Sequence, residues 1–253
     1  MLMFGWFRPT CPVDSQAKAW IEERLDWLSN EFGLDVFTRR ALILPHADSF
    51  PDKYDASEES ARVLLDRVCR HMGADPILVE LELFTNPDGF GLVNDRGQYL
   101  PGNAGLYDEQ SHRTVIHLET SQLEDPMTLV GTMAHELAHF RLLGENRISG
   151  DEFDHELLTD LTVVFHGLGI FLANVPRAWE SQFTHWPETN IRRPEYMTQP
   201  MFGYALAHAA WFQNERKPEW TTYLSRDARS SFKQGLRHLW ETGDSTFRPQ
   251  HAV

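Results

Sequence analysis

The sequence predicts an α+β fold: a small twisted mixed sheet, helices packed on it, and a C-terminal half that is mostly helical. Three features predict it. Ile77–Phe84 alternates Val79, Leu81 and Leu83 against Glu80 and Glu82, the pattern of a half-buried strand. Thr114-Val-Ile-His-Leu-Glu-Thr120 reads as a second strand. Between and beyond these runs, apolar residues recur at helical spacing, with capping residues at the expected ends.

Taken in order, Asp14 is a natural N-cap for a helix through Trp20, Ile21, Leu25, Leu28 and Phe32, with Gly33 as its stop. Ala41–Pro45 is a short buried strand ended by proline, and His46–Tyr54 is loop. Asp55-Ala-Ser-Glu58 offers a capping box, and Ala61, Leu64, Leu65, Val68 and Met72 form the apolar face of a helix closed by Gly73. Asn86–Gly89 is a turn, and Gly91–Tyr107 is glycine-rich and loop-like with room for short strands. After a strongly apolar run from Leu161 to Ala173, residues 176–200 carry four prolines among aromatics and read as a long irregular stretch. Helices follow from Met201 to Gln213 and from Arg226 to Trp240. Residues 1–75 are therefore expected to be a mainly helical N-terminal region packed on a core of residues 76–253, or part of one single domain.

Bulk properties narrow the function. The 253 residues carry a formal net charge of −14, which disfavours nucleic acid and anionic membrane surfaces as partners. No apolar run approaches the roughly 20 residues that span a bilayer. The first residues lack the cationic and apolar regions of a secretory signal, so the cytoplasm is the expected compartment. Two cysteines do not make a disulfide scaffold. The charge and composition do not fix the oligomeric state.

Chemistry concentrates at His135-Glu136-Leu137-Ala138-His139. Asp125 as N-cap, Pro126 in the first turn and Gly144 as a left-handed terminator frame a helix of about four turns around it. His135 and His139, four apart, share one face, which allows both imidazoles to bind one Zn²⁺. Glu136 lies about 100° round the helix, within reach of a water at the metal without being a ligand.

A third ligand must come from elsewhere. Ser149-Gly-Asp-Glu152 has the pattern of a capping box and announces a second helix. On it Glu156 and Asp160 are four apart and share a face. A carboxylate ligand, then one turn later a carboxylate that holds a ligand histidine, suits a metal site. Asp154 and His155 are the alternative ligands if Glu156 faces water.

H-E-x-x-H followed by a helix bearing E-x-x-x-D resembles the gluzincins, the thermolysin-like clan of zinc metallopeptidases. The resemblance covers roughly residues 112–165. It implies a zincin-like fold, His135, His139 and Glu156 as zinc ligands, Glu136 as general base, and Asp160 as partner of His135. It also implies that residues 114–120 form an edge strand along which a peptide or protein substrate lies. The metzincin pattern fails, because its third histidine is missing.

A group that stabilises the oxyanion is also expected. Tyr204 and His208, one turn apart, are the leading candidates, with Tyr223 and Arg229 behind them. Their shared stripe with Met201, Ala205 and Phe212 equally fits core aromatics with satisfied polar tips. Cys11 could offer a thiolate to an open zinc position, although a free thiol is the plainer reading. His117 could face the cleft, or be structural. The expected function is peptide hydrolysis by a zinc enzyme. The alternatives are a zinc hydrolase of a non-peptide amide and a non-catalytic protein that keeps the fold for binding.

Overall fold

The computed structural model describes residues 9–38, 41–85, 106–110, 113–174 and 184–249. The turn at 86–89 and most of the glycine-rich stretch after it lie outside these residues. The chain is a mixed α/β protein with few strands. Its elements in order are α1 (Ser15–Phe32), α2 (Leu34–Thr38), α3 (Glu58–Met72), β1 (Val79–Phe84), β2 (Leu106–Gln110), β3 (Arg113–Glu119), α4 (Pro126–His139), α5 (His155–Phe165) and α6 (Gly169–Asn174). They continue with β4 (Thr184–His185), β5 (Arg192–Arg193), α7 (Gln199–Phe212) and α8 (Arg226–Thr242).

These elements form two compact units, Ala41–Arg177 and Met1–Arg40 with Ala178–Val253. The boundary expected at residue 75 falls inside the first of these. The N-terminal helix α1 belongs with α7 and α8, and α3 belongs with the sheet.

In the Ala41–Arg177 unit the strand order is β1-β3-β2, with β1 parallel and β2 antiparallel to β3. The strand preceding α4 is thus central, not an edge as expected, because β2 occupies its other side. Parallel pairing of β1 with β3 requires a long connection, and β2 forms on the return. Leu81 of β1 and Val115, Ile116 and Leu118 of β3 are buried, as are Leu64, Leu65, Val68 and Met72 of α3, which packs beside β1. Each such aliphatic side chain contributes about 1.5–3 kcal/mol by leaving water. Leu42 and Ile43 are buried as expected, but they form no strand. The Ile43 N–H donates instead to the carbonyl of Gly167, 2.9 Å away in the turn after α5.

The cap of α3 is Ser57, whose Oγ accepts from the Ser60 N–H at 3.1 Å. Asp55, expected in that place, accepts from the Ser57 hydroxyl instead. Gly73 ends α3 in the left-handed region at φ 70°. That backbone conformation favours glycine, and a Cβ there would sit 2.8 Å from Nη1 of Arg141.

The second unit is helical apart from the short β4–β5 pair, which lies in the stretch expected to be irregular. Asp14 caps α1 through the Gln16 and Ala17 N–H groups, each 2.9 Å away. α7 and α8 pack at Gly203, where a Cβ would come within 2.6 Å of Ser231 and 2.7 Å of the Phe232 nitrogen. Among the described residues no helix is long and apolar enough to cross a membrane.

Candidate metal centre

α4 starts as its sequence dictates. Asp125 Oδ1 accepts from Met127 N at 3.1 Å and Thr128 N at 3.3 Å, and Pro126 fills a position that needs no donor. Leu129, Val130, Met133, Ala134, Leu137 and Ala138 are buried, and the helix packs between α3, α5 and α6. Its far end departs from expectation. Phe140–Gly144 is a π-helical turn, and the left-handed residue beyond it is Asn146 (φ 55°), not Gly144. Such turns re-aim side chains and often lie at functional sites. The turn carries Arg141, whose guanidinium donates to the carbonyl oxygens of Met72 (2.9 Å) and Gly73 at the end of α3. It thereby anchors the motif helix to its neighbour.

α5 begins later than its expected capping box. Ser149 Oγ accepts only the Asp151 N–H, at 3.3 Å, and the helix starts at His155 with Asp154 before it. That start places Glu156 in the first turn and Thr159 and Asp160 one turn further, with the last two fully buried.

The two helices bring His135, His139 and Glu156 together. Their facing atoms form a nearly regular triangle. Nε2 of His135 and Nε2 of His139 are 3.2 Å apart, and Oε2 of Glu156 lies 3.3 Å from the first and 3.4 Å from the second. Atoms about 2.0–2.1 Å from a common tetrahedral centre are about 3.3–3.4 Å from one another, so the spacing fits a single cation of zinc's size.

The hydrogen bonds behind the triangle orient it. His135 Nδ1 lies 3.0 Å from Asp160 Oδ1, an acceptor, so this nitrogen carries the hydrogen. Thr159 donates its one hydroxyl hydrogen to the His155 carbonyl at 2.8 Å and is left to accept from His139 Nδ1, 3.3 Å away. Both Nε2 atoms therefore face each other and the buried Oε2 of Glu156. Two imidazole nitrogens and a carboxylate oxygen turned toward one point need a positive charge between them, a metal ion or a proton.

Ionisation behaves accordingly. Burial works to lower the His135 pKa, but the bonds to Asp160 and Glu156 and the nearby Glu136 charge outweigh it, pushing it up to about 10. Burial also works to raise Glu156, yet the charge of His139 and the imidazoles of His135 and His155 hold it well below the usual carboxylate range. In the metal-free chain a proton does what a cation would do. Glu136 itself is 4% exposed, shielded from bulk water beside His135.

The sequence had marked His135, His139, Glu156 and Asp160, and these four converge. It missed Thr159, whose signal was its place one turn beyond Glu156 on the same face. Asp154, the alternative ligand, is buried before α5, and His155 stands beside Glu156.

Tyr204 and His208 belong to the other unit and are fully buried there. The Tyr204 hydroxyl donates to Glu22 Oε1 at 2.7 Å, and burial together with that carboxylate pushes its pKa up. His208 Nδ1 donates to the Tyr204 carbonyl at 3.1 Å, and Nε2 lies 3.0 Å from Ser245 Oγ. Burial lowers the His208 pKa to about 4, so the ring is neutral. Their polar tips are satisfied within their own core, as core aromatics would have it, which removes the ground for assigning them to an oxyanion. Arg229 donates to the Thr222 and Leu224 carbonyls, both at 2.7 Å, and fastens the start of α8.

His117 pairs with Glu82 across β3 and β1 at 3.3 Å. Burial raises the Cys11 pKa, and Cys11 belongs to the unit that does not hold the two histidines. No family model matches the chain, and neither a curated protein nor a solved structure matches it.

Proposed function

We propose that the protein is a zinc-dependent metallopeptidase of gluzincin type, with a zincin-like fold around α4 and α5. The observation that carries this reading is the triangle of two imidazole nitrogens and one buried carboxylate oxygen, with both imidazoles oriented from behind. His135, His139 and Glu156 would hold the metal. Zinc bound there supplies Lewis acidity and lowers the pKa of a coordinated water. Asp160 and Thr159 hold the two ligand histidines in the tautomer that leaves Nε2 free to bind. Glu136, next to His135 and largely shut off from bulk water, takes the proton from the attacking water and returns it to the leaving amine.

A structural metal site has no use for a shielded carboxylate beside a ligand, so Glu136 favours catalysis over a binding role. The substrate follows from the sheet. β1 and β2 are the two edge strands among those described, and α4 lies against β2, so an extended peptide would add to β2 and not to residues 114–120. The test is metal analysis of the purified chain together with a Glu136→Gln comparison on a peptide library. One zinc per chain in both forms, with cleavage lost only in the variant, is the expected result. Zinc in both forms with no cleavage by either would overturn the peptidase reading.

A further inference from the structure

We infer that His155 is a positioning residue for the third metal ligand, holding Glu156 so that one carboxylate oxygen faces the metal and the other is kept away from it. The inference rests on the metal-site reading above and extends it to a residue that reading leaves out. The two oxygens of Glu156 have different surroundings. Oε2 faces the two Nε2 atoms at 3.3 and 3.4 Å. Oε1 lies 3.3 Å from Nε2 of His155.

The His155 ring is itself fixed, since Nδ1 is 3.1 Å from the Glu152 carbonyl oxygen in the loop leading into α5. Nε2, at the other end of the ring, is the atom that meets Glu156, and a hydrogen on it is donated to Oε1. The ring centroid is 6.5 Å from that of His139, which places His155 at the rim of the site, 38% of its side chain exposed. A carboxylate is free to chelate through both oxygens unless one is engaged. Engaging Oε1 keeps Glu156 a one-oxygen ligand and holds a further position open for water, as catalytic zinc sites require.

The experiment uses cobalt(II) as the probe, titrated into the full chain and followed by its visible absorption, which is strongest for four-coordinate cobalt and falls as coordination number rises. His155→Ala is expected to weaken cobalt affinity about 10–100-fold. It should also lower the visible band, as the second oxygen of Glu156 binds. His155→Gln, which restores a neutral donor at the same reach, should recover most of both. A His155→Ala chain with wild-type affinity and an unchanged spectrum would overturn the inference while leaving the metal site intact. A wild-type chain whose cobalt binding is unaffected by His139→Ala would overturn the metal-site reading itself, and this inference with it.

Discussion

Glu22 and Glu156 are both carboxylates drawn into the interior of a largely helical unit, yet their surroundings are opposite. Glu22 is saturated with donors. Its Oε1 receives the Tyr204 hydroxyl at 2.7 Å and the Lys18 ammonium at 3.0 Å, and its Oε2 receives the Thr246 N–H at 2.8 Å and the Thr246 hydroxyl at 2.9 Å. Glu156 Oε2 faces two imidazole nitrogens, and the raised pKa of His135 puts one exchangeable proton between them in the metal-free chain. A buried polar cluster held by fixed donors is a structural clamp. One whose balance rests on a single exchangeable proton can take a metal ion in its place.

Exchanging the two losses should separate the roles most sharply. Glu22→Ala leaves the Tyr204 hydroxyl and the Thr246 amide without their acceptor and Lys18 with Asp244 alone. It should cost on the order of 3–5 kcal/mol in chemical denaturation, with metal content retained. Glu156→Ala should do the reverse, reducing zinc affinity by orders of magnitude in a chelator competition while costing the metal-free chain less stability than Glu22→Ala does.

The next effect is smaller. Asp160→Asn and Thr159→Val each remove the group that fixes a ligand histidine, and each should weaken zinc binding about 10–100-fold. If neither moves the affinity, the orientation of the imidazoles is not what forms the site. Smaller again is Tyr204→Phe. It should cost about 1 kcal/mol of stability through the lost bond to Glu22 and leave turnover within a few-fold. A collapse of turnover with stability intact would return Tyr204 to the chemistry.

The two clusters should also drift apart with pH. His208 titrates lower in the folded chain, near 4, than unfolded, near 6.5, and Glu22 is lowered as well. Their contribution is present above the unfolded values and is lost as pH falls, first between about 6.5 and 4. His135 has the opposite sign. Its raised folded value, about 10, gives the metal-free chain stability that is whole below about 6.5 and lost toward pH 10. Hydrogen exchange should therefore loosen α7 in acid and α4 in alkali, and zinc should abolish the alkaline loosening because it needs the deprotonated ligand.

Much of this contrast was legible in the chain of residues. The motif, the carboxylates at i and i+4, and helices α1, α3, α4, α7 and α8 follow from local periodicity and caps, which act within a few residues. What was not legible depends on distant partners. Residues 41–45 look like a strand, but they pair with a turn more than a hundred positions away. β3 looks like an edge until β2 takes its free side, and the π turn carries Arg141, whose partner is the distant end of α3. Tyr204 and His208 have the spacing and residue types of a catalytic pair. Only the position of Glu22, on α1, shows that they serve a core.

The most direct test is diffraction from crystals of the zinc-loaded chain, recorded at the zinc absorption edge. The account predicts one anomalous peak bonded to Nε2 of His135, Nε2 of His139 and a single oxygen of Glu156. No peak among these atoms, or a peak there with Glu156 turned away to solvent, would contradict it.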